Sequence, residues 1–111
     1  MSAAPDQPIA VFITAPNNEE ASRLADMLVG RKLAACVQIL PAMESVYRWQ
    51  GNIERQEEIL LIAKTINSKF ADLEREVRAL HSYETPEIVA FPLTAGSEKY
   101  LRWLKASVTT D

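Results

Sequence analysis

The chain carries few reactive side chains, and that scarcity bounds its chemistry. It has one cysteine, Cys36, and one histidine, His81. A closed tetrahedral site of thiolates and imidazoles therefore cannot form within one copy. A weaker site stays open, built from His81, the carboxylates Glu84 or Glu87, and groups from a neighbouring copy. A nucleophilic pair would have to join Cys36 to His81, and nothing in the spacing brings the two together. Each also has a structural reading. Cys36 fits a strand as a small buried apolar residue, and His81 fits a helix C-terminus, where the dipole favours its positive form.

Lys64 is more suggestive. It follows the apolar run Ile59-Leu-Leu-Ile-Ala63, so its ammonium ends a buried strand and needs a partner. Tyr83, Glu84 and Glu87 are the candidates, either as a structural ion pair or as a lysine–carboxylate–tyrosine pocket. Glu57 and Glu58 are adjacent and point to opposite faces of a strand, which reads as a solvated edge rather than an acid–base pair. The only glycines are Gly30, Gly51 and Gly96, so there is no glycine-rich phosphate loop. A single cysteine rules out Cys-x-x-Cys and an intrachain disulfide. The net charge of -3, with no basic run and no aromatic RNA-recognition motif, disfavours nucleic acid.

The elements that must position these residues follow from periodicity. Residues 1–8 read as a loose tail, and 9–111 as one domain. Ile9–Thr14 is a short apolar run, expected as a strand buried on both faces. Asn17-Asn18 offers an N-cap with Glu19 and Glu20 in the first turn. Ala21, Leu24, Ala25, Leu28 and Val29 then recur at helical spacing, and Gly30 reads as the residue that ends the helix, with Arg31 and Lys32 near its negative end. Asn67-Ser68 is expected to cap a second helix with Phe70, Leu73, Val77 and Leu80 on one face. Glu87–Leu93 reads as a strand with Pro92 near its end. Gly96-Ser97 introduces a last helix. This order, βαββαβ plus a helix, is an α+β, ferredoxin-like pattern, which decides nothing about chemistry by itself.

Between the two halves lies a hairpin over residues 33–65, with a glycine turn at Gly51-Asn52. Each arm of about 15 residues would extend ~50 Å, whereas a domain of this size has a diameter of only about 35 Å. A free two-stranded ribbon is marginal in water. The distal half, with Val46, Tyr47, Trp49 and Ile53, is therefore expected to pack on, or extend the sheet of, a second copy. Pro41 removes a ladder donor, so a bend or bulge is expected there. Apolar residues make up 48% of the chain, enough for a core, yet no run approaches the ~20 residues that span a bilayer. With no signal-like segment, the expected location is the cytoplasm.

Five strings in register carry a resemblance: Leu33-Ala-Ala-Cys36, Tyr47-Arg-Trp49-Gln-Gly51, Glu58–Thr65, His81–Ile88 and Tyr100-Leu-Arg-Trp103-Leu104. Together they resemble the CutA family of divalent-cation tolerance proteins, over about Ile9 to Val108. The resemblance implies a ferredoxin-like fold in a tight homotrimer similar to the PII signalling proteins, with the long hairpins pairing between subunits. It also implies a link to divalent metals, copper above all, with binding but no established catalysis. Carried over position by position, a cleft between subunits would hold Cys36, Trp49, Lys64, His81, Tyr83, Glu87 and Trp103, with His81 and Glu84 as candidate metal ligands. The chain departs from the pattern at Ile13 and Leu80, where copper-binding members have a cysteine and a further histidine, so low affinity for copper or another divalent cation is implied. The alternatives are a small-molecule-binding or signalling trimer, an enzyme using Lys64, Tyr83 and Glu87, and a trimer that anchors a protein partner.

Overall fold

The computed structural model describes residues 4–110. The element order is β1 (Pro8–Ala15), α1 (Asn18–Gly30), β2 (Cys36–Trp49), β3 (Asn52–Ile66), α2 (Phe70–Leu80), β4 (Ile88–Pro92) and α3 (Glu98–Thr109). The four strands form one sheet in the order β2-β3-β1-β4, every neighbouring pair antiparallel. The α+β, ferredoxin-like expectation is met. The first strand begins at Pro8, one residue earlier than expected. Ahead of it, Ala4 accepts hydrogen bonds from Gln7 N–H and Asn67 Nδ2, and Pro5 O accepts from Ser68 N–H. Part of the expected loose tail is thus tied to the start of the second helical segment; residues 1–3 lie outside the described residues.

Strand alternation sorts the sheet into two faces. The odd-numbered side chains Ile9, Val11, Ile13, Ile59, Leu61 and Ala63 meet Ala21, Leu24 and Leu28 of α1 and Leu73 and Val77 of α2 in the main core. On the even-numbered face, α3 covers one end by packing Leu104 and Val108 on Ile66. The middle of that face is apolar and uncovered. Phe12, Ile62 and Val89 lie in one row and Thr14, Leu60 and Leu40 in the next, and Leu40, Val89 and Phe91 are each more than 40% exposed.

Asn17 caps α1 as expected, its side chain accepting from Glu20 N–H. Gly30 does not supply a left-handed terminus. The residue with positive φ is Lys32 (57°), because the helix closes one residue further on, with Arg31 N–H bonded to Met27 O. Arg31 reaches Glu76 of α2 at 2.6 Å instead of only facing the dipole. The expected Asn67-Ser68 cap is also absent. A 3-10 turn over Asn67–Lys69 precedes α2, and the Asn67 amide is spent on Ala4. Ser97 does cap α3, and Pro92 does end β4.

The hairpin is as long as the sequence reading requires, with arms of 14 and 15 residues. It stretches the molecule to 43 Å along its longest axis. At its tip Gln50 and Gly51 have φ of 48° and 83°, two consecutive left-handed residues, as in the mirror-image turn that fits twisted strands. The expected irregularity at Pro41 is a bulge. Leu40 pairs with Leu60 and Met43 with Glu58, so β2 holds one extra residue, and Ala42 there has φ 38°. The bulge changes which residues share a face. Before it the partners of even-numbered β3 residues are Cys36, Gln38 and Leu40; after it they are Met43, Ser45, Tyr47 and Trp49.

Candidate functional site

The predicted site residues fall into two groups at opposite ends of the even-numbered face. Cys36 and Lys64 are cross-strand partners beside α3. The Cys36 thiol lies 3.5 Å from the Tyr100 hydroxyl, the Lys64 ammonium stands 6.0 Å from the Tyr100 ring centre, and Trp103 packs on Tyr100 at 5.4 Å. The hydrogen bond with Cys36, then burial, pushes the Tyr100 phenol up to about 12. Cys36 is only half-buried. Lys64 does not pair with Tyr83, Glu84 or Glu87. Its partner is the amide oxygen of Gln38 at 2.5 Å, two residues along the neighbouring strand from Cys36. About 20 Å of strand separates Lys64 from Glu58, so one chain does not assemble the lysine–tyrosine–carboxylate constellation.

The second group forms a pocket of about 520 Å³ at the base of the distal hairpin. Strand β2 contributes Ser45, Tyr47 and Trp49, and β3 contributes Gln56 and Glu58. The loop after α2 closes it with Tyr83, Thr85 and Glu87. A relay of hydrogen bonds runs through it. Tyr47 O–H donates to Gln56 Oε1 at 2.8 Å, Gln56 Nε2 donates to the Tyr83 oxygen at 2.9 Å, and Tyr83 O–H donates to Glu58 Oε2 at 2.9 Å. Burial and that bond to Glu58 push the Tyr83 phenol well above the usual tyrosine range. Glu58 is 7% exposed, so the solvated edge expected for Glu57-Glu58 holds for Glu57 but not for Glu58.

His81 occupies neither group as a free ligand. Its side chain is fully buried, with Nε2 2.7 Å from Thr14 O. Thr14 lies one residue past the last β1–β4 pair, Ile13 with Ile88, so the imidazole caps a main-chain carbonyl beside the start of β4. Nδ1 lies 3.0 Å from Tyr83 N–H and 3.2 Å from Glu20 Oε2. A neutral ring accepts from Tyr83, and a protonated ring donates to Glu20. Either way both nitrogens are engaged and neither has a lone pair turned toward solvent. Glu20 is the residue that sequence reasoning placed elsewhere, as a dipole partner. It is 4% exposed and accepts from Ser82 N–H at 2.9 Å. Burial raises its pKa, but the hydrogen bonds from Ser82 and the nearby His81 and Arg23 outweigh that and hold it below the ordinary 4.5. Its i, i+4, i+8 spacing with the buried Leu24 and Leu28 was the available signal.

Glu84 is exposed and lies beside Arg75 and Arg78 in a shallow hollow on α2. Among the described residues no three His, Cys, Asp or Glu side chains converge as a metal site would require.

Comparison with known proteins places this arrangement. Residues 9–107 match the family model described as CutA1 divalent ion tolerance protein. A chloroplastic CutA protein from Arabidopsis thaliana is 50% identical over 89% of this chain. The chain spans about half the length of that relative (54%) and of a rice relative (56%). The crystal structure of CutA1 from Oryza sativa superposes with a TM-score of 0.91 at 45% identity, covering 95% of this chain and 96% of that one. A structure of CutA from Archaeoglobus fulgidus, described as a periplasmic divalent cation tolerance protein, gives 0.88 at 44% identity, covering 91% and 98%. The chain belongs to the CutA1 divalent ion tolerance protein family.

Proposed function

We propose that the chain works as a homotrimer whose subunits meet through the uncovered apolar face and the distal hairpin. The clefts so formed bind copper or another divalent cation weakly. One observation carries the assembly: the apolar rows of Phe12, Ile62 and Val89 and of Leu60 and Leu40 run into a hairpin that extends past the domain core, whose same face carries Tyr47 39% and Trp49 52% exposed. Apolar surface of that extent gains most by burial against like surface. The number three comes from the family resemblance. In this arrangement the Cys36–Lys64–Trp103 cluster forms one wall of each cleft, and Trp49, Tyr83 and Glu87 of another copy form the opposite wall. The cation then takes oxygen ligands from Glu84 or Glu87 together with donors from a second copy, and few fixed ligands mean low affinity. His81 acts as a structural tether and not as a ligand. The function is binding rather than catalysis, as the family resemblance implies.

The half-buried, unpaired Cys36 fits a reducing compartment, and we place the chain in the cytoplasm; no helix among the described residues is long and apolar enough to cross a membrane. Light scattering at micromolar concentration should report three copies, and a monomer would sink the assembly. Equilibrium dialysis of the assembled protein with Cu2+, Zn2+ and Mg2+ should show weak saturable binding. A strictly linear, non-saturating uptake would remove the cation from the proposal while leaving the trimer intact.

A further inference from the structure

The His81 imidazole sits between two groups that place opposite demands on one nitrogen. Nε2 lies 2.7 Å from Thr14 O, a carbonyl that can only accept, so Nε2 carries a proton whether the ring is neutral or charged. Nδ1 faces a donor, Tyr83 N–H at 3.0 Å, and an acceptor, Glu20 Oε2 at 3.2 Å. A neutral ring satisfies the donor and sets its lone pair against the carboxylate. A protonated ring satisfies the carboxylate and sets its new N–H against that of Tyr83. No third arrangement serves both. The ring is fully buried and Glu20 is 4% exposed, so bulk solvent cannot take the place of the partner that is dropped.

The surroundings decide where a proton goes. Helix α1 brings Glu20, with Arg23 near it; Ser82 N–H, His81 and Arg23 hold the Glu20 carboxyl below 4.5, so it is ionised at any pH above that value. Strand β1 has no ionisable side chain. Helix α2 ends at the ring, bringing its negative end and, in its last turn, the exposed Arg78. Strand β3 acts through Tyr83, whose hydroxyl bonds Glu58 and whose ring centre is 4.8 Å from that of the imidazole. On the loop itself Glu84 and Glu87 are exposed. A proton arriving at the buried pair therefore stops at Nδ1.

We infer that His81 and Glu20 form a proton switch on the loop 82–87. In the neutral state Nδ1 holds Tyr83 N–H, which pins the loop to the end of α2. In the protonated state Nδ1–H turns to Glu20, Tyr83 N–H is released, and the start of the loop loosens. Tyr83, Thr85 and Glu87 line the pocket at the hairpin base, so protonation reaches that lining from behind. The inference rests on neither the assembly nor cation binding, since every group that holds the ring belongs to one chain.

The test follows the Tyr83 amide of the intact protein by NMR from about pH 8 to about pH 5, with the imidazole nitrogens read in the same samples. The nitrogens should report the Nε2–H tautomer at the alkaline end, and the opposite tautomer overturns the inference. Exchange protection of the Tyr83 amide, corrected for the intrinsic rate at each pH, should fall at least about tenfold as the ring gains its proton. The Leu61 amide, in a strand paired on both sides, should not change. In Glu20→Gln the step should move to lower pH, because the protonated ring loses its anionic partner. Tyr83→Phe cuts the path from Glu58 and keeps the amide, so the step should persist there. A Tyr83 amide equally protected on both sides of the ring's titration overturns the inference, and so does a ring that takes up no proton before the protein unfolds. A step unmoved in Glu20→Gln overturns it, because Glu20 is then not the alternative partner. A step lost in Tyr83→Phe overturns it in favour of Glu58 as the titrating group.

Discussion

Replacing His81 with alanine separates a tether from a ligand. In the folded chain the ring is buried, capping Thr14 O through Nε2 and receiving Tyr83 N–H at Nδ1. Removing it strands a buried main-chain carbonyl, which costs about 1–3 kcal/mol, and leaves a void that adds to that. Together the expected loss is about 3 kcal/mol. For a chain of this size that lowers the thermal midpoint by roughly 12 °C, taking about 4 °C per kcal/mol. The assay is thermal unfolding of wild type and His81→Ala at one fixed protein concentration, since the midpoint of an oligomer depends on it. Each protein is scanned with and without a divalent cation. A true ligand would give wild type a cation-induced gain of about 2.7 kcal/mol at a hundred times Kd, and that gain would vanish in the variant. A tether predicts a large loss in the absence of cation and the same cation-induced shift in both proteins. A loss below about 0.5 kcal/mol, the range of ordinary surface changes, would refute the reasoning.

Other outcomes follow from the same contacts. The Glu20 carboxyl is held below 4.5, so its contribution is present above that value and lost as pH falls through the depressed one; Glu20→Gln should flatten the acid limb of a stability–pH curve on the acid side of 4.5. Leu73, wholly buried under the sheet, should cost about 2–5 kcal/mol on truncation to alanine, read from the denaturation midpoint in urea. Gln50→Asn should stabilise by a few tenths to about 1 kcal/mol, because asparagine tolerates the left-handed first turn position better; a loss would mean the Gln50 side chain has a partner in the assembly. In an ultraviolet titration of the native protein, the Tyr83 and Tyr100 phenols should resist ionisation through about pH 11 and titrate on unfolding, with Tyr83→Phe and Tyr100→Phe each removing one delayed step.

Much of the fold was legible because short apolar runs mark the strands and the hairpin turn and bulge carry their own residues, Gly51 and Pro41. Helix caps were legible where a side chain had only one use. Asn17 bonds within its own helix, whereas Asn67 is claimed by Ala4, a contact 63 residues away. The candidate site was legible in its members but not in its grouping. Trp49, Tyr83 and Glu87 do share a pocket, but Lys64 points to Gln38 because the nearest acceptor lies across the strand, not at the next loop. His81 was read at its helix terminus, and its long-range partner Thr14 could not be seen from spacing. Glu58 had a visible sign in retrospect: it adjoins the same apolar run as Lys64, at the opposite end.

The extra residue at Pro41–Ala42 has a consequence for how this hairpin can vary. It shifts the phase of β2 by one, so substitutions near it alter twist and stability while a length change alters geometry wholesale. Deleting Ala42 would turn Ser45, Tyr47 and Trp49 away from Gln56 and Glu58 without touching one core residue. Inserting two residues at that point would keep the present phase, and inserting one would not. The tip at Gln50-Gly51 carries no such constraint, because nothing beyond it depends on parity. Segments grafted onto this scaffold therefore belong at the tip, and any lengthening at the bulge has to come in pairs.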